Sequence, residues 1–102
     1  MLNQVILVGR LTSNPEVETL ENGKKVSSIV LAVGRSFKNS EGVFETDFIR
    51  CVLWNNIAQN TTDYCRKGDV IGVKGRIQVG SYEKDAIEVI AEKITFLSSK
   101  GE

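Results

Sequence analysis

Five stretches rich in Val, Ile and Leu, near residues 4–11, 25–35, 47–54, 70–80 and 86–97, constrain this chain more than any other feature. A strand sends successive side chains to opposite faces, so such stretches read as strands wherever apolar and polar residues alternate. Turn chemistry rather than linkers separates them. Asn22-Gly23 tolerates positive φ and suits a tight hairpin between the first two stretches, and Asn39, Ser40 and Gly42 make the next connection. The pattern changes only between the third and fourth stretches. There Ile57, Ala58, Thr61, Tyr64 and Cys65 recur at helical spacing, and Gly68 follows Arg66-Lys67 where a C′ glycine belongs. The spacing predicts one helix over 56–66.

The order strand, strand, strand, helix, strand, strand describes an all-β chain with one helix. A five-stranded, partly open Greek-key barrel with its helix between strands 3 and 4 is the OB fold. An immunoglobulin sandwich wants about seven strands and no helix. With 102 residues, no internal repeat and no low-complexity segment, residues 1–102 read as a single domain. A chain of this size buries roughly two-thirds of its unfolded surface, which supports a core without disulfides or a structural metal.

Fold alone does not give function, but composition removes classes of it. The chain has no histidine, which takes away the usual general base and the Ser-His or Cys-His nucleophile pair. Two cysteines without histidine cannot build an all-protein zinc site. No catalysis, cofactor or metal is therefore expected. No apolar run approaches the ~20 residues that span a bilayer, and no basic region precedes a long apolar stretch at the N-terminus. No membrane association is expected, and the location expected is cytoplasmic, with Cys51 and Cys65 as reduced thiols among apolar neighbours. The 13 basic residues only balance the 13 acidic ones, which counts against a generic nucleic-acid binder. Placement changes that reading: Glu16, Glu18 and Glu21 sit together early, whereas Arg35, Lys38, Arg50, Arg66, Lys67, Lys74 and Arg76 occupy the middle.

Along the third stretch Ile49, Cys51 and Leu53 alternate with Phe48, Arg50, Val52 and Trp54. The first set reads as core and the second as a partly wet face. In the fourth stretch Ile71, Val73, Ile77 and Val79 read as core, opposite Lys74, Arg76, Gln78 and, beyond Gly80, Tyr82. At the exit of the second, Arg35 and Phe37 are two apart and project together. Of the seven aromatics, Phe37, Phe48, Trp54 and Tyr82 fall at cation-bearing phases or at a strand's loop end. Tyr64 and Phe96 read as ordinary core, and Phe44 has no assignment. Core packing is the ordinary alternative for any one of these rings, and a solvated face for any one cation. For Arg66-Lys67 the alternative is the helix macrodipole. Four rings coinciding with the cations favours a binding face. Aromatic platforms interleaved with positive charge suit single-stranded nucleic acid, whose bases stack at ~1–3 kcal/mol each with little regard to identity. Duplex binding finds no basic helix or arm suited to a groove.

The sequence resembles the bacterial single-stranded DNA-binding proteins that coat unwound strands. The resemblance is carried by Asn3-Gln4-Val5-Ile6-Leu7-Val8-Gly9-Arg10-Leu11, Asn14-Pro15-Glu16, Leu31 to Phe37, Asp47 to Trp54, Tyr64-Cys65-Arg66-Lys67-Gly68 and Gly75-Arg76-Ile77-Gln78. It implies stacking aromatics at Phe37, Phe48, Trp54 and Tyr82, and phosphate contacts at Arg50 and Lys67, with Arg35 and Arg76 added by neighbourhood. It implies binding and protection of single-stranded DNA during replication, recombination or repair, by a homotetramer whose first strands pair between subunits. Val5-Ile6-Leu7-Val8 is apolar on both phases, as such pairing requires. Two departures stand out. Glu83-Lys84-Asp85 replaces a longer loop after Tyr82, and the chain ends at Ser98-Ser99-Lys100-Gly101-Glu102 without the family's acidic tip. Partners recruited through that tip are not expected. The alternatives are an OB-fold adaptor of a primosome-type assembly, and a small nuclease using Asp47, Glu45 and an Arg around a metal.

Overall fold

The computed structural model of the protein describes residues 1–80 and 86–98. In chain order these form β1 (Val5–Leu11), β2 (Glu18–Thr19), β3 (Lys25–Lys38), β4 (Phe44–Trp54), α1 (Asn55–Tyr64), β5 (Val70–Val79) and β6 (Ile87–Ser98). β2 is a two-residue strand at the edge of the sheet, and the other five are the expected strands. The helix accordingly stands between the third and fourth of those five. The sheet runs β1-β5-β6-β4-β3-β2, and β1 also pairs with β3 through Arg10↔Ala32 and Leu11↔Leu31. That second pairing closes the barrel and leaves few edges open. Neighbours are antiparallel except β4 and β6, which run parallel through Cys51↔Val89 and Val52↔Ile90. This is the OB fold.

The inward phases meet as predicted. Leu11, Ile29, Leu31, Cys51, Leu53, Ala58, Cys65, Ile71, Val73, Val89 and Ala91 form one buried cluster, and α1 covers it with Ala58 and Thr61. Packing is tightest where β5 crosses β6. A Cβ on Gly75 would stand 2.0 Å from the Ile90 carbonyl oxygen, so only glycine lets the two backbones approach this closely. At the same place the pairing steps from Lys74↔Lys93 to Gly75↔Ala91, a β-bulge that skips Glu92.

Several expectations change for reasons of tertiary position. The helix ends at Tyr64, because Cys65 turns extended (φ −120°, ψ 152°) and buries its thiol in the core. Gly68 is therefore not a C′ glycine. With φ 93° it occupies the following turn, where the Asp69 N–H donates to the Arg66 carbonyl at 3.0 Å. Ile77 and Val79 have the core phase but are exposed. β1 pairs with β5 only as far as Val5↔Gly75; beyond that point, among the described residues, β6 is the one strand beside it, and only the Asn3 amide reaches the other edge, at the Ile77 N–H and carbonyl. Tyr64 is 71% exposed and Phe96 is also exposed; the two rings lie against each other, centroids 6.0 Å apart, beside the last turn of α1. Phe44 is exposed in the β3–β4 hairpin with the Lys38 ammonium 5.6 Å from its ring centroid. Asn22-Gly23 does make a tight turn, between β2 and β3, with Gly23 at φ 85°.

Candidate nucleic-acid interface

The outward row of β4 is Phe48, Arg50, Val52 and Trp54, and strand register sets its neighbours. Ala32, Val30, Ser28 and Val26 of β3 stand beside those four in turn. On the other side Ile90 of β6 adjoins Val52, and Arg76 and Gln78 of β5 adjoin Ile90 and Glu88. Phe48, Arg50, Trp54 and Arg76 thus share one outer face of the barrel. Two adjoining clefts run along it. The larger, about 420 Å³, lies between Trp54, Val52 and Ser28 on one side and Glu16 and Val17 of the β1–β2 segment on the other. The second, about 340 Å³, lies among Phe48, Arg50, Gly80 and Ile87. Glu88 lines both.

Each side chain has a local reason for its position. β4 runs directly into α1 because Asn55 takes a left-handed φ of 53°, a conformation asparagine tolerates, and its Oδ1 accepts the Lys25 N–H at 3.2 Å. That corner holds the half-buried Trp54 at the cleft wall. Phe48, at 67% exposed, stands open on the strand. Val52, expected on the wet face, is buried instead, where Val17 of the β1–β2 segment and Leu20 of the β2–β3 turn wall the same cleft.

The cations are engaged to different degrees. Arg50 Nη2 donates to Ser28 Oγ at 3.3 Å, and its Nε lies 3.7 Å from Glu88 Oε2. Arg76 Nη1 donates to Gln78 Oε1 at 2.7 Å, with Nε 3.9 Å from Glu92. Arg35 is tied most firmly. Its Nε and Nη2 donate to the two carboxylate oxygens of Asp47 at 3.0 and 2.9 Å, and Nη1 donates to Glu45 at 2.6 Å. Those hydrogen bonds hold the Asp47 carboxyl below its ordinary range and raise the Arg35 pKa further. Asn39 extends the brace by donating to Glu45 at 3.1 Å. The arm of β3 and β4 is thereby stiffened around Phe37, which is 66% exposed. Arg35 and Phe37 share the arm as expected, but the Arg35 fork points at carboxylates, and the two proposed metal ligands are occupied with it.

Lys67 sits apart from the β4 row, on the turn after α1. Its backbone N–H donates to Asn14 Oδ1 at 2.7 Å, and Arg10 Nη1 donates to the Gly68 carbonyl at 2.9 Å, pinning that turn to the end of β1. Its ammonium has no ion pair among the described residues. Tyr82 and the short Glu83-Lys84-Asp85 turn lie outside the described residues. Sequence reasoning passed over Glu88, Gly80 and Ser28. Glu88 does carry a signal, since it falls on the outward phase of a strand whose neighbours Val89, Ile90 and Ala91 are all buried. Cys51 and Cys65 are free, buried thiols, and burial pushes the Cys51 thiol up to about 11. Among the described residues no group of three His, Cys, Asp or Glu side chains is placed to hold a metal ion, and no helix is long and apolar enough to cross a membrane.

Comparison with known proteins places this face in context. A family model described as the single-strand binding protein family matches residues 2–97. The chain is 45% identical to single-stranded DNA-binding protein B of Bacillus subtilis, over 98% of this chain and 94% of that protein. It is 46% identical to the single-stranded DNA-binding protein of Halalkalibacterium halodurans, over 99% of this chain but 64% of that protein. Single-stranded DNA-binding protein A of Bacillus subtilis is 44% identical over 98% of this chain and 62% of its own length. The chain therefore spans nearly all of one of these relatives and under two thirds of the other two.

Proposed function

The chain belongs to the single-strand binding protein family, and from that premise we propose that it binds single-stranded DNA without catalysis and protects it during replication, recombination or repair. One observation carries this: Phe48 and Trp54, the two rings of β4, stand on either side of Arg50 on one outer face, each beside one of two adjoining clefts, with both rings accessible and neither in the core cluster. A strand laid along that face stacks bases on Trp54 and Phe48 while its backbone passes Arg50 and Arg76. The braced arm adds Phe37 at one end, and Lys67 adds a phosphate contact beyond the β1–β2 segment; Tyr82 completes the stacking set by resemblance. In this reading Arg35 contributes by holding the arm rather than by meeting phosphate. The primosome-type adaptor is not favoured, since the relatives covering this chain carry single-strand binding names.

Assembly as a homotetramer belongs to the same proposal. Ile6 and Val8 project outward and exposed from β1, next to Gly72, which leaves open sheet surface of the kind that a second copy covers. Mass measurement in solution tests the assembly. Trp54 is the sole tryptophan, so titration with oligo(dT) at low salt is expected to quench its emission to a stoichiometric end point. An emission that does not change defeats the binding proposal.

A further inference from the structure

We propose that Phe44, at the outer end of β4, is a further platform for a stacked base, with Lys38 beside it meeting a phosphate. The inference rests on the single-stranded DNA reading above and carries the path of the strand out onto the β3–β4 hairpin. Phase places the ring. Along β4 the residues Phe44, Thr46, Phe48 and Arg50 are all exposed, whereas the other phase passes through Asp47 and Ile49, both half-buried, into the core at Cys51. The pairing steps from Gly34↔Thr46 to Lys38↔Phe44, so the extra residues lie in β3 and β4 keeps its alternation. Phe44 therefore continues the outward row of Phe48, Arg50 and Trp54, about 13 Å beyond Phe48 along the strand.

Its partner repeats the chemistry of the row. Lys38 stands directly across from Phe44, and residues paired across adjacent strands share a face. The Lys38 ammonium lies 5.6 Å from the ring centroid, yet the ring is 57% exposed. Lys38 makes no salt bridge among the described residues, so its charge is open to an anion. Packing gives no reason for an aromatic here, since Phe44 belongs neither to the core cluster nor to the residues packed against it. The hairpin is also held by other means. Asn39 Oδ1 accepts the N–H groups of Glu41 and Val43 at 2.9 and 3.0 Å, and its Nδ2 donates to the Glu45 carboxylate that Arg35 ties down. A hairpin held in this way presents the ring already placed, so little ordering is left to be done on binding. A flat apolar surface beside a cation suits an unpaired base and its phosphate, and such stacking is indifferent to which base it is.

A fluorescent ring at the site tests it. Trp54→Phe combined with Phe44→Trp leaves one indole, at position 44, and titration with oligo(dT) at low salt is expected to quench it to a stoichiometric end point. In the otherwise unaltered chain, Phe44→Ala is expected to weaken oligo(dT) binding by roughly 5-fold or more, the lower end of what one stacked base contributes, with the salt slope unchanged. Lys38→Ala should lower that slope by about 0.7. An unresponsive indole at position 44 overturns the inference whatever Phe44→Ala does to affinity, because a ring that only steadies the hairpin through Lys38 never meets a base. An affinity unchanged by Phe44→Ala overturns it too. So does loss of self-association in that variant with binding intact, which would make the ring a contact between copies of the chain. If the double variant does not fold, Phe44→Leu, which keeps apolar bulk without a flat ring, is read by anisotropy instead. It is expected to bind as weakly as Phe44→Ala, and binding at the parent's affinity overturns the inference. A parent chain whose Trp54 emission oligo(dT) leaves unchanged refutes the binding proposal itself, whereas quenching of Trp54 without a response at position 44 refutes the Phe44 reading alone.

Discussion

Truncating Trp54 to alanine separates stacking from charge on this face. A base stacked on an aromatic ring contributes ~1–3 kcal/mol. Trp54 is half-buried at the cleft wall and offers one face rather than two, so the expected loss is about 1–2 kcal/mol, or roughly 5- to 30-fold in affinity. Folding should survive. Trp54 lies outside the buried core cluster, and although it is the N-cap residue of α1 its side chain makes no capping hydrogen bond. Its neighbour Leu53 is fully buried, and Leu53→Ala supplies the contrast at about 2–5 kcal/mol of stability. The assay is anisotropy of labelled oligo(dT) across a salt series, with thermal melts of each variant. Because the indole carries no charge, Trp54→Ala should leave the slope of log affinity against log salt unaltered. Arg50→Ala should lower it by about 0.7, the value of one phosphate on a single strand. Equal slope changes in the two variants, or a melting loss in Trp54→Ala as large as in Leu53→Ala, would refute the division of roles.

Gly75→Ala should destabilise the barrel by about 1–3 kcal/mol or more in urea melts, since its Cβ would meet the Ile90 backbone at 2.0 Å; Gly34→Ala, with nothing within 4 Å, is the control expected within about 0.5 kcal/mol. A normal melt for Gly75→Ala contradicts the close approach. The Asp47 carboxyl, held below 3.8 by Arg35, adds to stability above its unfolded value and loses that contribution as pH falls through the lower folded value. In NMR titration Arg35→Gln should return Asp47 toward the ordinary carboxylate range, and an unmoved titration curve counts against the brace. Burial raises the Cys51 thiol from 9.0 to about 11, so its share of stability is complete below pH 9 and declines between pH 9 and 11. Thiol reagents at pH 8 should label Cys51 only on unfolding; prompt labelling of the native chain would contradict its burial.

Five of the six strands, the single helix and the phase of the β4 row were legible along the chain, while the two-residue β2 was not. Alternation is a local property, and it places Phe48, Arg50 and Trp54 on one side of a strand whatever lies around it. The resemblance likewise reached the family, because it rests on residues spaced along nearly the whole sequence. Phase does not say how far a face is covered. Val52 is buried despite its outward phase, Ile77 and Val79 are exposed where β5 outruns β1, and Tyr64 and Phe96 lie against each other outside the core cluster. Arg35 looked like a phosphate ligand until the β3–β4 hairpin brought its guanidinium within hydrogen-bond reach of Asp47 and Glu45. Glu88 comes beside Arg50 only through the parallel β4–β6 pairing. Local periodicity decides which way a side chain points, whereas its partners and its share of solvent depend on segments far away in the chain, which meet only when the barrel closes.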